Sequence, residues 1–92
     1  MELRHLRYFL VATEEMSFTK AARTLRISQP PLSRQIKKLE RELGVTLFDR
    51  NGHGVRLTAE GRFLKAEASK LLVASERIRR SVKLFGVKTR AR

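Results

Sequence analysis

The sequence predicts a mainly α-helical fold: three short helices, a two-stranded hairpin and one long helix. Three observations predict it. Apolar residues recur at helical spacing in successive segments before residue 44, and a turn rich in Gly and Asn separates two short β-like runs after it. Residues 59–85 contain no proline and a single glycine. The first segment sets Leu3, Leu6, Phe9, Leu10 and Thr13 on one stripe, the period of a helix over about residues 3–15.

Ser17 is a favourable N-cap for a short second helix, in which Phe18, Ala21, Ala22 and Leu25 form the apolar face. Its two alanines allow another helix to approach closely. "RIS" at 26–28 turns the chain into "SQPPLSRQIKKLE", where Ser28 is the expected N-cap and Gln29, Pro30 and Pro31 fill the first turn. Proline is tolerated there because the first N–H groups of a helix have no intrahelical partner. Leu32, Ile36, Leu39 and Leu43 then share one face, and Gly44 stops the helix. The opposite face collects Gln29, Ser33, Arg34, Gln35, Lys37 and Lys38.

Residues 45–50, "VTLFDR", and 55–58, "VRLT", enclose "NGHG", which reads as a hairpin. Thr58 caps the long helix that follows. Along it Leu64, Ala68, Leu71, Ser75, Ile78, Val82 and Phe85 step alternately by four and three, the pattern of a helix that packs on another helix. A fold built from residues 1–57 is too small to cover this whole stripe, so a partner chain is implied. Gly86 reads as the C-terminal cap and "VKTRAR" as a basic tail with nothing to order it. The division expected is a domain at 1–58, a dimerisation helix at 59–86 and a disordered tail at 87–92.

Composition narrows the function. The net charge of +12, from 21 Lys and Arg against 9 Asp and Glu, exceeds what solubility requires and predicts attraction to polyanions. Nucleic acid and an anionic membrane surface are the candidates. Cysteine is absent, which removes disulfides and thiolate zinc sites and suits a reducing cytoplasm. His5 and His53 are too isolated to pair on a metal. The longest apolar run, "YFLVA", is too short for a membrane span, so a soluble intracellular protein without a metal is expected. There is no clustered carboxylate pair or Gly-rich phosphate loop, which argues against an enzyme. The heptad-like stripe includes Ala68 and Ser75, favouring helix pairing over lipid insertion.

A basic helix face taken alone is usually a solvated face. Here residues 20–41 hold seven basic residues and one acidic residue, Glu40, within a helix-turn-helix pattern followed by a hairpin. In such a motif the start of the second helix reaches base edges and neighbouring cations hold phosphates. Gln pairs bidentately with adenine and Arg with guanine, which suits Gln29 and Arg34 to base reading. The prolines offer a stiff apolar surface to a thymine methyl.

"SFTKAA", "SQPPLSRQIKKLE" and "LGVTLFDR", in this order and spacing, with the long helix after "LTAEG", resemble the N-terminal winged helix-turn-helix domain of LysR-type transcriptional regulators over residues 1 to about 86. "MELRHLRYF" and the double proline look closest to members controlling aromatic-compound degradation. The resemblance implies a bacterial regulator whose helix at 29–43 enters the major groove of promoter DNA carrying an imperfect palindrome. Carried over by position, Gln29, Pro30, Ser33 and Arg34 lie on the base side. Thr19, Lys20, Pro31, Gln35, Lys38 and Arg50 lie nearer the backbone. His53 and Arg56 belong to the wing, which approaches the minor groove; relatives often carry a permanent cation where His53 sits, so that contact is expected to be weak or pH-dependent. The linker helix is implied to form an antiparallel homodimer through the stripe from Leu64 to Phe85. Family members continue into an effector-binding domain, of which these residues contain none. The full-length protein is therefore expected to bind a small-molecule effector and form a tetramer, while this chain needs no cofactor.

Overall fold

In the computed structural model, which describes residues 1–50 and 54–90, six elements follow one another: α1 (Leu3–Glu15), α2 (Phe18–Leu25), α3 (Gln29–Leu43), β1 (Phe48–Asp49), β2 (Arg56–Leu57) and α4 (Ala59–Arg90). The first two helices end on non-glycine residues in the left-handed region, Met16 at φ 52° and Arg26 at φ 58°. In each case a backbone N–H returns to the last turn, Met16 to the Ala12 carbonyl and Ile27 to that of Ala22. Ser17 caps α2 as expected, its Oγ accepting from the Lys20 N–H at 3.2 Å.

Ser28 occupies the N-cap position of α3 with extended backbone, yet its hydroxyl makes no capping bond. The reason lies in the two prolines. A capping hydroxyl accepts from the N–H two or three residues on, and Pro30 and Pro31 have none. Gly44 ends the helix at φ 70°, as its position predicts.

Phe9 and Ala12 of α1, Ala21 and Ala22 of α2, Leu32, Ile36 and Leu39 of α3, and Leu47 with Phe48 form one buried core. Phe48 is its keystone. Phe9 packs on its ring at 5.4 Å and Phe18 meets it edge-on at 5.2 Å. The small side chains of Ala21 and Ala22 leave room for α2 to sit against both neighbours.

The hairpin is antiparallel, pairing Phe48 with Leu57 and Asp49 with Arg56, and is shorter than residues 45–50 and 55–58 suggest. Competing partners truncate it. The Glu40 carboxylate accepts the N–H groups of Leu47 at 2.7 Å and Phe48 at 3.3 Å, and the Leu47 carbonyl accepts from the Thr58 N–H at 3.0 Å. Thr58 also caps α4, its hydroxyl accepting from the Gly61 N–H at 3.0 Å. Gly61 itself lies so close to this junction that a Cβ would run into the Leu47 carbonyl oxygen and the Leu57 side chain.

One expectation for α4 is corrected. The helix does not stop at Gly86 but continues through it to Arg90, so residues 87–90 are helical rather than a disordered tail. A mid-helix glycine costs only about 1 kcal/mol against alanine, and among the described residues no proline or left-handed residue follows to end the helix. The stripe itself is covered only in part. Ala68 is buried and Leu64 packs against the domain's own core, so its first two positions already have cover, while Leu71, Ile78, Val82 and Phe85 remain exposed. The 32-residue helix spans about 48 Å and dominates the long dimension of the 61 × 25 × 19 Å molecule.

Candidate nucleic-acid interface

Because Leu32, Ile36 and Leu39 turn one face of α3 wholly into the core, the residues between them must face outward. Pro30 and Arg34 are exposed and Gln29 and Ser33 half-exposed. Gln29 and Ser33, one turn apart, are joined by a 2.7 Å hydrogen bond in which the Gln29 amide donates to the Ser33 hydroxyl. That bond orients the Gln29 carbonyl and leaves the second N–H of the amide free to donate. Among the described residues Arg34 has no ion-pair partner, so its guanidinium fork is available to a bidentate acceptor.

The residues expected nearer a phosphate backbone divide into four kinds. Thr19 and Lys20 are exposed on the first turn of α2, where unpaired N–H groups favour an anion. Lys38 is exposed beside Glu42, whose carboxylate is held below its usual range. The first cause is a hydrogen bond from the amino terminus, reinforced by the charges of that amine, Lys38 and His5. Pro31 and Gln35 are half-buried, and the Gln35 Oε1 is enclosed with no hydrogen-bond partner among the described residues. With its oxygen inward, the Gln35 amide is the part left to face outward.

Arg50 is already engaged. Its guanidinium stands 3.7 Å from Glu40 Oε1 and 5.0 Å above the Phe18 ring, which fixes it between α2, α3 and β1. Glu40 is the residue sequence reasoning passed over. A single carboxylate bonds two hairpin amides and faces an arginine, tying α3 to the first strand. Its signal was visible as the lone acid among seven bases in residues 20–41. Arg56 is exposed on β2 opposite Asp49, while the expected wing-tip residue His53 lies outside the described residues.

Along α4, Ser75 is half-buried and Leu71, Ile78, Val82 and Phe85 are 46–71% exposed. Among the described residues no group of three His, Cys, Asp or Glu side chains lies placed for a metal ion, and no helix is long and apolar enough to cross a membrane.

Comparison with known proteins places this geometry. Residues 3–62 match the family model for bacterial regulatory helix-turn-helix proteins of the lysR family. The HTH-type transcriptional regulator BenM of Acinetobacter baylyi is 60% identical over 72 residues, which is 78% of this chain and 24% of that protein. The chain thus spans about a quarter of the length of that relative. The crystal structure of a BenM DBD/catB site 1 DNA complex superposes with a TM-score of 0.91 at 51% identity, covering 94% of this chain and 97% of that one. A CbnR DBD–DNA complex superposes at 0.88 with 36% identity over 94% of this chain and 99% of that one.

Proposed function

The chain belongs to the lysR family of bacterial regulatory helix-turn-helix proteins, and we propose that it binds promoter DNA sequence-specifically as a homodimer, with α3 in the major groove. The observation that carries this reading is the outer face of α3. Gln29, Ser33 and Arg34 present amide, hydroxyl and guanidinium groups from a helix whose inner face is locked in the core. Arg34 reads a guanine, Gln29 an adenine, and Pro30 packs on a thymine methyl. Thr19, Lys20, Pro31, Gln35, Lys38 and Arg50 lie toward the backbone, and Arg56 lies toward the minor groove.

Dimerisation proceeds through Leu71, Ser75, Ile78, Val82 and Phe85 on antiparallel copies of α4, because leaving a large apolar side chain in water forfeits roughly 1.5–3 kcal/mol. Two symmetric reading helices then require an imperfect two-fold palindrome. The role is regulatory rather than enzymatic, in keeping with relatives named as transcriptional regulators. It is exercised at the bacterial nucleoid in the cytoplasm. The whole regulator carries an effector-binding domain and assembles as a tetramer. Its effector belongs with the aromatic-degradation subgroup that residues 1–9 and the double proline resemble.

Selection of bound duplexes from a random library tests this reading. Enrichment of two symmetric half-sites is the expected result. Recovery of unrelated sequences, each bound no better than random DNA, would overturn it.

A further inference from the structure

We propose that the cavity between the end of α1, the hairpin and the start of α4 docks a partner protein, taking an acidic peptide segment that carries one large apolar side chain. The cavity has a volume of about 420 Å³. Phe48, Val55 and Leu57 form its apolar wall, and the exposed residues Met16, Arg62 and Lys65 stand at its rim. Sequence reasoning placed none of these three rim residues at an interface.

The first argument is charge. Arg62 and Lys65 are three apart on α4 and so project from neighbouring positions on one face. Among the described residues neither has an ion-pair partner. The Arg62 guanidinium donates at 3.4 Å to the Leu57 carbonyl, which holds it against the cavity wall and leaves the rest of its fork to an acceptor. Arg56 also lines the cavity, opposite Asp49 across the hairpin. Among the described residues no Asp or Glu lines it, so a carboxylate entering the cavity meets cations and no like charge.

The second argument is Met16. It is 62% exposed and sits at φ 52°, where a side chain brings steric strain and glycine does not. Folding alone favours glycine there. Methionine instead adds a flexible apolar lip, the kind of surface that adapts to a partner. An apolar floor ringed by exposed polar groups is the anatomy of a protein interface, whereas a small-molecule site encloses most of its ligand.

The third argument is access. Lys65 and Arg62 lie roughly 100° and 160° around α4 from Leu64, on the side away from the stripe that continues to Phe85. Among the described residues neither α3 nor that stripe lines the cavity. Pairing through α4 and base reading through α3 therefore both leave it open.

Selection from a random nonapeptide library against the chain tests this. The expected consensus is a cluster of Asp and Glu around one Phe, Leu or Trp. An enriched peptide should bind roughly tenfold more weakly to Arg62→Ala with Lys65→Ala, made together, and also more weakly to Met16→Gly. Lys83→Ala with Lys88→Ala, which removes equal charge from distal α4, should bind it as the unmutated chain does. Amide chemical shifts should move at residues 12–16, 55–57 and 62–65, and melting transitions confirm that each variant is folded. Binding of a library-selected duplex across a salt series separates this partner from nucleic acid. The Arg62 and Lys65 variant should keep the slope of the unmutated chain. A reduced slope would assign these cations to phosphates and overturn the proposal. A consensus without acids, no consensus at all, or equal peptide affinity in the cavity variant and the distal control would overturn it too. Each of these results leaves DNA binding through α3 standing.

Discussion

The apolar faces of α3 and of distal α4 follow the same helical period and end in opposite states. Leu32, Ile36 and Leu39 are at most 2% exposed, whereas Leu71, Ile78, Val82 and Phe85 stand open to water. The difference is one of connectivity. Residues before and after α3 fold back over it within the same chain, while α4 leaves the domain after Ala68 and has nothing of its own to lie against. Periodicity shows that a face wants cover; only chain topology decides whether the cover is internal.

The comparison breaks most visibly in distal α4. Leu71→Glu with Ile78→Glu should convert dimers to monomers in sedimentation, since each buried side chain is worth roughly 1.5–3 kcal/mol and a dimer contains four. The helical core should survive with its melting transition intact, and palindromic DNA should then be bound little better than random duplex. In the domain, Phe48→Ala should cost about 4 kcal/mol of folding stability by removing the ring that Phe9 and Phe18 enclose. Denaturant unfolding reads that loss. Persistence of native stability would mean the core is not organised around this ring.

Smaller changes sharpen the contrast between buried and outward faces. Arg34→Ala should leave stability unchanged and lower specific affinity by about 1–3 kcal/mol, relaxing preference at one base pair per half-site. Equal loss on every sequence would move Arg34 to the phosphates. Met16→Gly should raise stability by up to about 1 kcal/mol, because residue 16 sits at φ 52°, where glycine pays no steric penalty. The smallest effect concerns pH. Glu42 receives a 2.9 Å contact from the amino terminus, which lowers its folded-state pKa. Its contribution is therefore present above the ordinary carboxylate range and fades as pH falls through the depressed folded value. Glu42→Gln should flatten the melting-temperature profile on the acid side and leave neutral DNA binding unchanged.

Most of the architecture was legible because it depends on local signals. Helical period, the Ser17 and Thr58 caps and the Gly44 stop each act within a few residues, and each holds in the structure. What escaped depends on neighbours distant in sequence or on competition between donors. The Ser28 side chain fails as a cap because its partners are prolines. The strands are short because Glu40 and Thr58 draw on the backbone around Leu47. Gly86 looked like a stop from composition, yet a glycine ends a helix only where the chain turns left-handed. Gly61 looked incidental, although the path of α4 past Leu47 requires it. The outward face of α3 was equally legible, because three fully buried leucine and isoleucine side chains define its opposite. Arg50's engagement with Glu40 and Phe18 was not, since it joins three elements.

The continuity of α4 through Gly86 carries a mechanical consequence. With its first turn seated on Leu47 by Gly61 and Thr58, and no break before Arg90, anything attached at the far end shares a common angular phase with α3. One residue inserted beyond Ala68 would rotate that attachment by about 100° and advance it by about 1.5 Å, while seven would return it to within about 20° of its original bearing. The helix therefore serves as a dial as well as a spacer: its residue count fixes the azimuth at which one reading head faces whatever the other end holds.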